Sequence, residues 1–523
     1  MIDKLSSYKF YPLLVFLLAW SLYLFNSGAV SIYILDEAKN AECAREMLER
    51  ADFFVPTFNQ ELRTDKPPLH YFFMMLSYSV FGVNPFAARF FSALFGALTV
   101  LIATLFARQF AGSKTGLITG GVLLASVHLS IQFHLAVPDP YLVFFMSVAI
   151  CSFYTFLENR KIVYLIALYG SIGLGTLTKG PIAIALPGLI FLLYLISSKQ
   201  LNWPTLRTLR PFWGAAFVLL IAMPWYILAH LKTNGAWTEG FFLRHNIGRF
   251  TDEMEGHGGT FVATLLFVLI GLFPFSVYLP QALVEGFRNR KERFILFNLL
   301  AGLCIVGFFM LSKTRLPNYT VPALPFLAIL IGQFIVNNRN RPKAFTAGIW
   351  TIFIFSVILV PALIVGLKFD PSLADIRWVG WYFVPFPLLV GTALFFHFQK
   401  KLPLMHLFTL FAGMAVALIF FAVVFPKIDR QNPVAKSIEL LQGKEVRYFR
   451  KFNAAYAFNL KKELPPLQDN ELAPFFKQYP DGVVISTRKK VNEIALPEGC
   501  EISFSSHDLF ESPVTVFITK RKP

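Results

Sequence analysis

Cysteine and charge are both scarce in this chain. Four cysteines, Cys43, Cys151, Cys304 and Cys500, are scattered over 523 residues. Two lie inside apolar runs and the other two are isolated, which excludes a disulfide framework and a spaced zinc motif. Charged residues make up 15% of the chain and hydrophobic ones 55%, too little charge to cover a water-soluble surface. Acidic residues are the scarcer sign, 31 against 48 Lys and Arg, for a net charge of +17. The basic residues sit in short clusters between apolar runs. They read as the positive-inside signal of a membrane protein, not as a nucleic-acid footprint. Low-complexity tracts and short-period repeats are missing too.

Apolar sequence is what the chain has in abundance. Runs such as 10–30, 212–231 and 404–425 approach or exceed the roughly 20 residues needed to cross a bilayer. The first follows Lys4 and Lys9 and outruns the roughly 7–15 residues of a signal-peptide core, so it reads as a retained anchor with a cytoplasmic N-terminus. Basic clusters lie at Arg108/Lys114, Arg160/Lys161, Lys199 to Arg210, Arg288 to Arg293, Arg339 to Lys343 and Lys400/Lys401. If all face the cytoplasm, even numbers of crossings must separate them. That parity predicts about thirteen transmembrane helices, with 31–85 as one long external loop and 427–523 outside. The stretch 68–82 is short and rich in aromatics, and is expected to lie in the outer interface without crossing.

The last hundred residues carry more charge and no long apolar run. Alternating stretches at 445–451, 482–487 and 514–520 suggest strands, and 433–441 suggests a helix. The expected fold is therefore mainly α, a polytopic membrane domain over 1–426 followed by a small extracytoplasmic α/β domain over 427–523.

Polar groups gather where the outer loops begin and end, which points to a site at the outer surface under a lid of loops. Asp36 and Glu37, both candidate catalytic carboxylates, open a helical pattern in which Ala38, Ala41, Ala44 and Leu48 share a face. An aspartate there could also be a plain N-cap. Arg63, Asp65 and Lys66 precede Pro67 and Pro68, and the prolines would hold the Lys66 ammonium at headgroup depth. Asp139, between Pro138 and Pro140, could be catalytic or another cap with proline at N1. Loop 232–259 supplies His245 and Arg249, and 312–319 supplies Lys313, Arg315 and Tyr319. Lys313 and Arg315 lie on the side that the charge rule disfavours and call for an anionic partner. His245 and His257 have no tight ligand spacing, so they read as interfacial hydrogen-bonders. No metal ligand set and no cofactor is assigned, and a divalent metal stays open.

The ordered motifs Asp36-Glu37, Ala44-Arg45-Glu46-Met47, Phe54-Val55-Pro56, Asn59, Lys66-Pro67-Pro68-Leu69-His70-Tyr71, Phe81-Gly82 and Ala87-Ala88-Arg89 resemble the first external loop of the GT-C membrane glycosyltransferases. The branch resembled is the protein O-mannosyltransferase and lipid A aminoarabinose transferase superfamily. Thr178-Lys179-Gly180-Pro181 and Lys313, Leu316-Pro317, Tyr319 and Pro322 resemble its later motifs in order. The resemblance implies a GT-C fold and a polyprenyl-phosphate-linked sugar donor. It places transfer to a lipid or glycan acceptor, a lipid A-like glycolipid before a protein, on the periplasmic face of the inner membrane. By the same resemblance Asp36 matches the acidic residue at the catalytic centre, Asp139 the second acidic position, Lys66 a cation near the donor phosphate, and Tyr319 a neighbour of the lipid phosphate. Arg63, His245, Arg249, Lys313 and Arg315 are the further candidates for holding substrate. A transporter or lipid-linked-sugar flippase is the alternative, and it would require inverted repeats and paired midplane charges.

Overall fold

In hydrocarbon a backbone must satisfy its own N–H and C=O groups, so long apolar runs become helices. The computed structural model describes residues 6–247, 261–509 and 511–521. Among these, nine helices are long and apolar enough to cross a membrane, or eleven if two bent pairs each count as one span. The bent pairs are Ser113–Leu124 with Val127–Phe133, and Phe261–Gly271 with Phe275–Arg288. Shorter apolar helices are Tyr11–Leu24, Leu69–Phe81 and Ile182–Ser197. Thirteen crossings are reached only if Tyr11–Leu24 and Ile182–Ser197 also cross. They have 14 and 16 residues, short of the roughly 20 of a full span. Leu69–Phe81, in the stretch expected to lie in the interface, has 13.

Two spans form the centre of the bundle. In Asp139–Asn159 and Pro317–Asn337, 89% and 83% of the apolar stretch is buried in protein, against 28% in the peripheral Lys343–Lys368. Both central spans start at the same place, because Asn318 Nδ2 donates to Asp139 Oδ1 at 3.0 Å. This meeting of two helix starts is where the cavity described below opens.

The loop after Tyr11–Leu24 is ordered by its own polar groups. It forms the Leu35–Glu49 helix, a small hairpin of β1 (Thr57–Phe58) and β2 (Glu61–Leu62), and the Leu69–Phe81 helix. Ala38, Ala41 and Ala44 are buried, on the face that their spacing predicts. Arg45 bonds Glu42 and Glu49 on the same helix. The Thr57 hydroxyl donates to Glu46, whose carboxylate also accepts from the Gln60 N–H. The hairpin is thereby tied to the helix.

At the C-terminal end β3 (Val446–Phe449), β4 (Pro466–Leu467), β5 (Val483–Thr487), β6 (Cys500–His507) and β7 (Val514–Lys520) form one sheet in the order β4-β3-β5-β7-β6. The β4, β3 and β5 strands run parallel, and β5, β7 and β6 antiparallel. Every residue of the central β5 is buried. Three of the five strands lie within the stretches expected from alternation. β4 is only two residues long, and β6 carries a register shift between Ile502 and Phe504 that breaks its alternation.

Candidate active site

Asp36 is the second residue of the Leu35–Glu49 helix, and Ile34 occupies the cap position without a side-chain hydrogen bond. The capping alternative is therefore not realised. The Asp36 side chain stays 46% exposed and faces two cations, Arg63 Nη2 at 3.6 Å and Lys66 Nζ at 3.9 Å. Both distances lie at the loose end of ion pairing, so the carboxylate is held near positive charge yet remains accessible. Asp139 is not a cap either, since Pro138 occupies that position. Its carboxylate accepts from Lys179 Nζ at 2.6 Å as well as from Asn318.

Lys66 and Asp65, Asp139, Lys179, Asn318 and Tyr319 form the polar part of a cavity of about 260 Å³. Leu142, Met146, Ile182, Leu186, Phe308, Phe309 and Pro322 form its apolar part. Lys179 ends the Ile162–Lys179 helix, and Gly180 follows at φ +77, a region that L side chains rarely adopt. A Cβ at Gly180 would also come within 2.6 Å of the Phe241 ring. The Lys179 ammonium lies 5.3 Å from the centre of the Tyr319 ring, an arrangement that adds a cation–π attraction to the Asp139 pair. The entry loop is held from the side by two indoles. Trp237 Nε1 donates to the Arg63 carbonyl at 3.0 Å and Trp225 Nε1 to the Phe53 carbonyl at 2.8 Å.

Several candidates are placed differently from the sequence reading. Glu37, expected among the catalytic carboxylates, is 1% exposed and bonded by both Arg89 Nε and Nη2 at 2.8 Å and by the Ala136 N–H at 2.8 Å. It is a buried framework ion. Arg63, expected to bind substrate, is buried among Asn40, Asp36 and Asp65 and does not itself line the cavity. Lys313 is exposed and Arg315 donates to the Met310 carbonyl at 3.3 Å, and neither lines the cavity. Arg249 lies outside the described residues, as does the side chain of His245. The sequence reading missed Lys179 and Asn318. The Thr178-Lys179-Gly180-Pro181 motif was the available signal for Lys179, while Asn318 carried none. Among the described residues no group of three His, Cys, Asp or Glu is arranged to hold a metal.

His70 lies beside these cations and is fully buried. Burial, then the Arg63 and Lys66 charges, hold its imidazole well below the ordinary histidine range. Below about pH 6.5 the unfolded chain takes up a proton there that the folded protein does not. Stability should then fall with pH, by at most about 1.4 kcal/mol per unit from this group. His70→Gln is expected to flatten the decline of melting temperature between pH 7 and 5. An unchanged slope would show that the imidazole charges in the folded protein.

A family model for dolichyl-phosphate-mannose-protein mannosyltransferases matches residues 65–228, a stretch that includes Lys66, Asp139 and Lys179. The crystal structure of ArnT from Cupriavidus metallidurans bound to undecaprenyl phosphate superposes with a TM-score of 0.81 over 97% of both chains, at 22% identity. The chain therefore has the GT-C fold. An undecaprenyl phosphate-α-4-amino-4-deoxy-L-arabinose arabinosyl transferase of Aeromonas salmonicida is 31% identical over 64% of this chain and 62% of its own length. The equivalent protein of Pseudomonas aeruginosa is 30% identical over 61% and 59%. The chain thus spans about three fifths of these two transferases. A protein of unassigned function from Aquifex aeolicus is 28% identical over 92% of this chain and 89% of its own length. In this GT-C chain Asp139 and Asn318 stand at the starts of the two central spans and Lys179 at the end of its helix.

Proposed function

We propose that this GT-C protein moves a sugar from a polyprenyl-phosphate carrier to an envelope acceptor, a lipid A-like glycolipid before a protein, on the periplasmic face of the inner membrane. The cavity carries the reading. Its apolar part suits a prenyl chain and its Lys66 and Lys179 ammoniums suit a phosphate, so one cavity answers both halves of such a donor. The names of the aminoarabinose transferases support an aminopentose as the sugar.

In the transfer an acceptor oxygen attacks the anomeric carbon from the face opposite the phosphate. The carbon–oxygen bond to phosphate breaks, the carrier leaves as polyprenyl phosphate, and the configuration inverts. A phosphate is an adequate leaving group without a proton donor, provided that positive charge meets it, which is the role of Lys66 and Lys179. If the acceptor is a hydroxyl, Asp36 takes its proton. If the acceptor is an ionised phosphate, Asp36 orients it. Asp139 holds the Lys179 ammonium toward the cavity.

Purified protein in detergent or vesicles should release polyprenyl phosphate from a radiolabelled lipid-linked sugar. No turnover with any such donor, together with substrate-dependent counterflow in vesicles, would instead establish the transporter or flippase alternative, which the comparisons do not support. The orientation has its own test. A C-terminal alkaline phosphatase fusion should be active and a C-terminal green fluorescent protein fusion dark. The opposite pattern would put residues 427–523 in the cytoplasm.

A further inference from the structure

The C-terminal sheet unit touches the entry loop at two separate places. The first is residues 31–33, just ahead of the helix that carries Asp36. Asn459 Nδ2 donates to the Ile32 carbonyl at 2.9 Å. The Leu509 N–H donates to the Tyr33 hydroxyl oxygen at 2.8 Å. The Asp429 carboxylate accepts from both the Ser31 N–H and the Ser31 hydroxyl, at 2.8 and 2.7 Å. Ile32 and Tyr33 are themselves buried.

The second place is the hairpin ahead of Arg63 and Lys66. Asn59 Nδ2 donates to the Leu464 carbonyl at 2.9 Å while Asn59 Oδ1 accepts from the Leu464 N–H at 2.8 Å. The side chain thus pairs with backbone as a strand would. Phe58 stacks on Phe452, with ring centres 6.3 Å apart and an interplanar angle of 11°. Asn59 adopts φ +53 to make this reach, a conformation that asparagine tolerates better than most residues.

These grips sit on the two segments that bring opposite charges together. One leads directly into Asp36 and the other into Arg63 and Lys66, and they hold the carboxylate 3.6–3.9 Å from its cations. Resting on the transfer reading above, we propose that the C-terminal unit is a positioning clamp that fixes Asp36 against Lys66, with Asn459 and Tyr33 setting the carboxylate and Asn59 the cation. None of the three is a catalytic residue, because each acts through the segment that it holds.

The two grips should give different kinetic signatures. A misplacement of about 1 Å can cost about 10²-fold in rate. Asn459→Ala and Tyr33→Phe should therefore lower kcat on the order of tenfold, with donor affinity within twofold of wild type. Asn59→Ala should weaken donor binding as well, because it loosens the Lys66 segment. Ser486→Ala is the control: Ser486 Oγ donates to the Phe449 carbonyl at 2.8 Å within the sheet, so its loss should lower the melting temperature and leave kcat unchanged. Tyr33→Phe keeps the ring and removes only the hydroxyl, which makes it the mildest of the set. If Asn459→Ala and Tyr33→Phe behave like Ser486→Ala, less stable but with wild-type kcat, the clamp is overturned while the transfer reading stands. A wild-type protein that turns over no lipid-linked donor overturns both.

Discussion

Asp36→Asn is expected to yield a folded protein that binds donor and loses about 10²–10⁴-fold in turnover, the usual cost of removing a general base. Asparagine keeps the volume and one oxygen acceptor. No cap is lost, because the cap position belongs to Ile34. At 46% exposure the carboxylate is also not part of the packed core, so stability should change little. The readout is the initial rate of polyprenyl phosphate release, beside donor binding and melting temperature. Lys66→Ala should differ in kind and weaken donor binding together with turnover, since on the proposed transfer its charge would meet the phosphate in both ground and transition states. If Asp36→Asn keeps more than about a tenth of wild-type turnover, well inside the expected loss, the general-base role passes to another carboxylate, with Asp139 next in line.

The largest effect on stability is expected from Arg89→Ala. Arg89 is 2% exposed and all three of its nitrogens are engaged. Nε and Nη2 bond Glu37 at 2.8 Å, Nη1 bonds the Ser27 and Val30 carbonyls at 2.7 and 2.9 Å, and Nη2 also bonds the Ser31 carbonyl at 2.9 Å. Truncation strands the Glu37 carboxylate in the interior and leaves three carbonyls short of a donor. Breaking a buried pair in this way costs about 3–5 kcal/mol. The variant should run largely as aggregate on size exclusion, with a clearly lowered melting temperature. The double substitution Glu37→Leu with Arg89→Met should recover part of the loss, because no lone charge remains. Wild-type melting of Arg89→Ala would show that the pair does not stabilise the fold.

The membrane class and the start of the entry loop were legible because both are local. Long apolar runs announce helices, and Asp36 and Lys66 stand at the ends of such runs beside prolines and acidic neighbours. Glu37 shows the limit of that reading. Successive residues on a helix point about 100° apart, so Asp36 faces the cations while Glu37 faces Arg89, and neighbours in sequence take opposite roles. The pairing of Asp139 with Lys179 and Asn318 bridges separations of 40 and 179 residues. It depends on where three helices meet, which no periodicity encodes. Arg63 and Lys313 carry the charge that a phosphate needs, yet one is buried under the loop and the other turns outward. Charge alone could not distinguish them from Lys66. The crossing count suffered similarly, since two apolar helices end several residues short of a full span.

The contacts between the entry loop and the C-terminal sheet also set a schedule for biosynthesis. Tyr33 and the Leu509 amide are 476 residues apart, and at roughly 5–20 residues per second that interval takes roughly 25–95 s on the ribosome. Through that time the nascent chain holds the Asp36 segment without the groups that finally anchor it. The membrane helices can insert in order while the loop waits. A chain interrupted before Leu509 would therefore reach the membrane with the segment ahead of Asp36 short of one of its anchoring contacts.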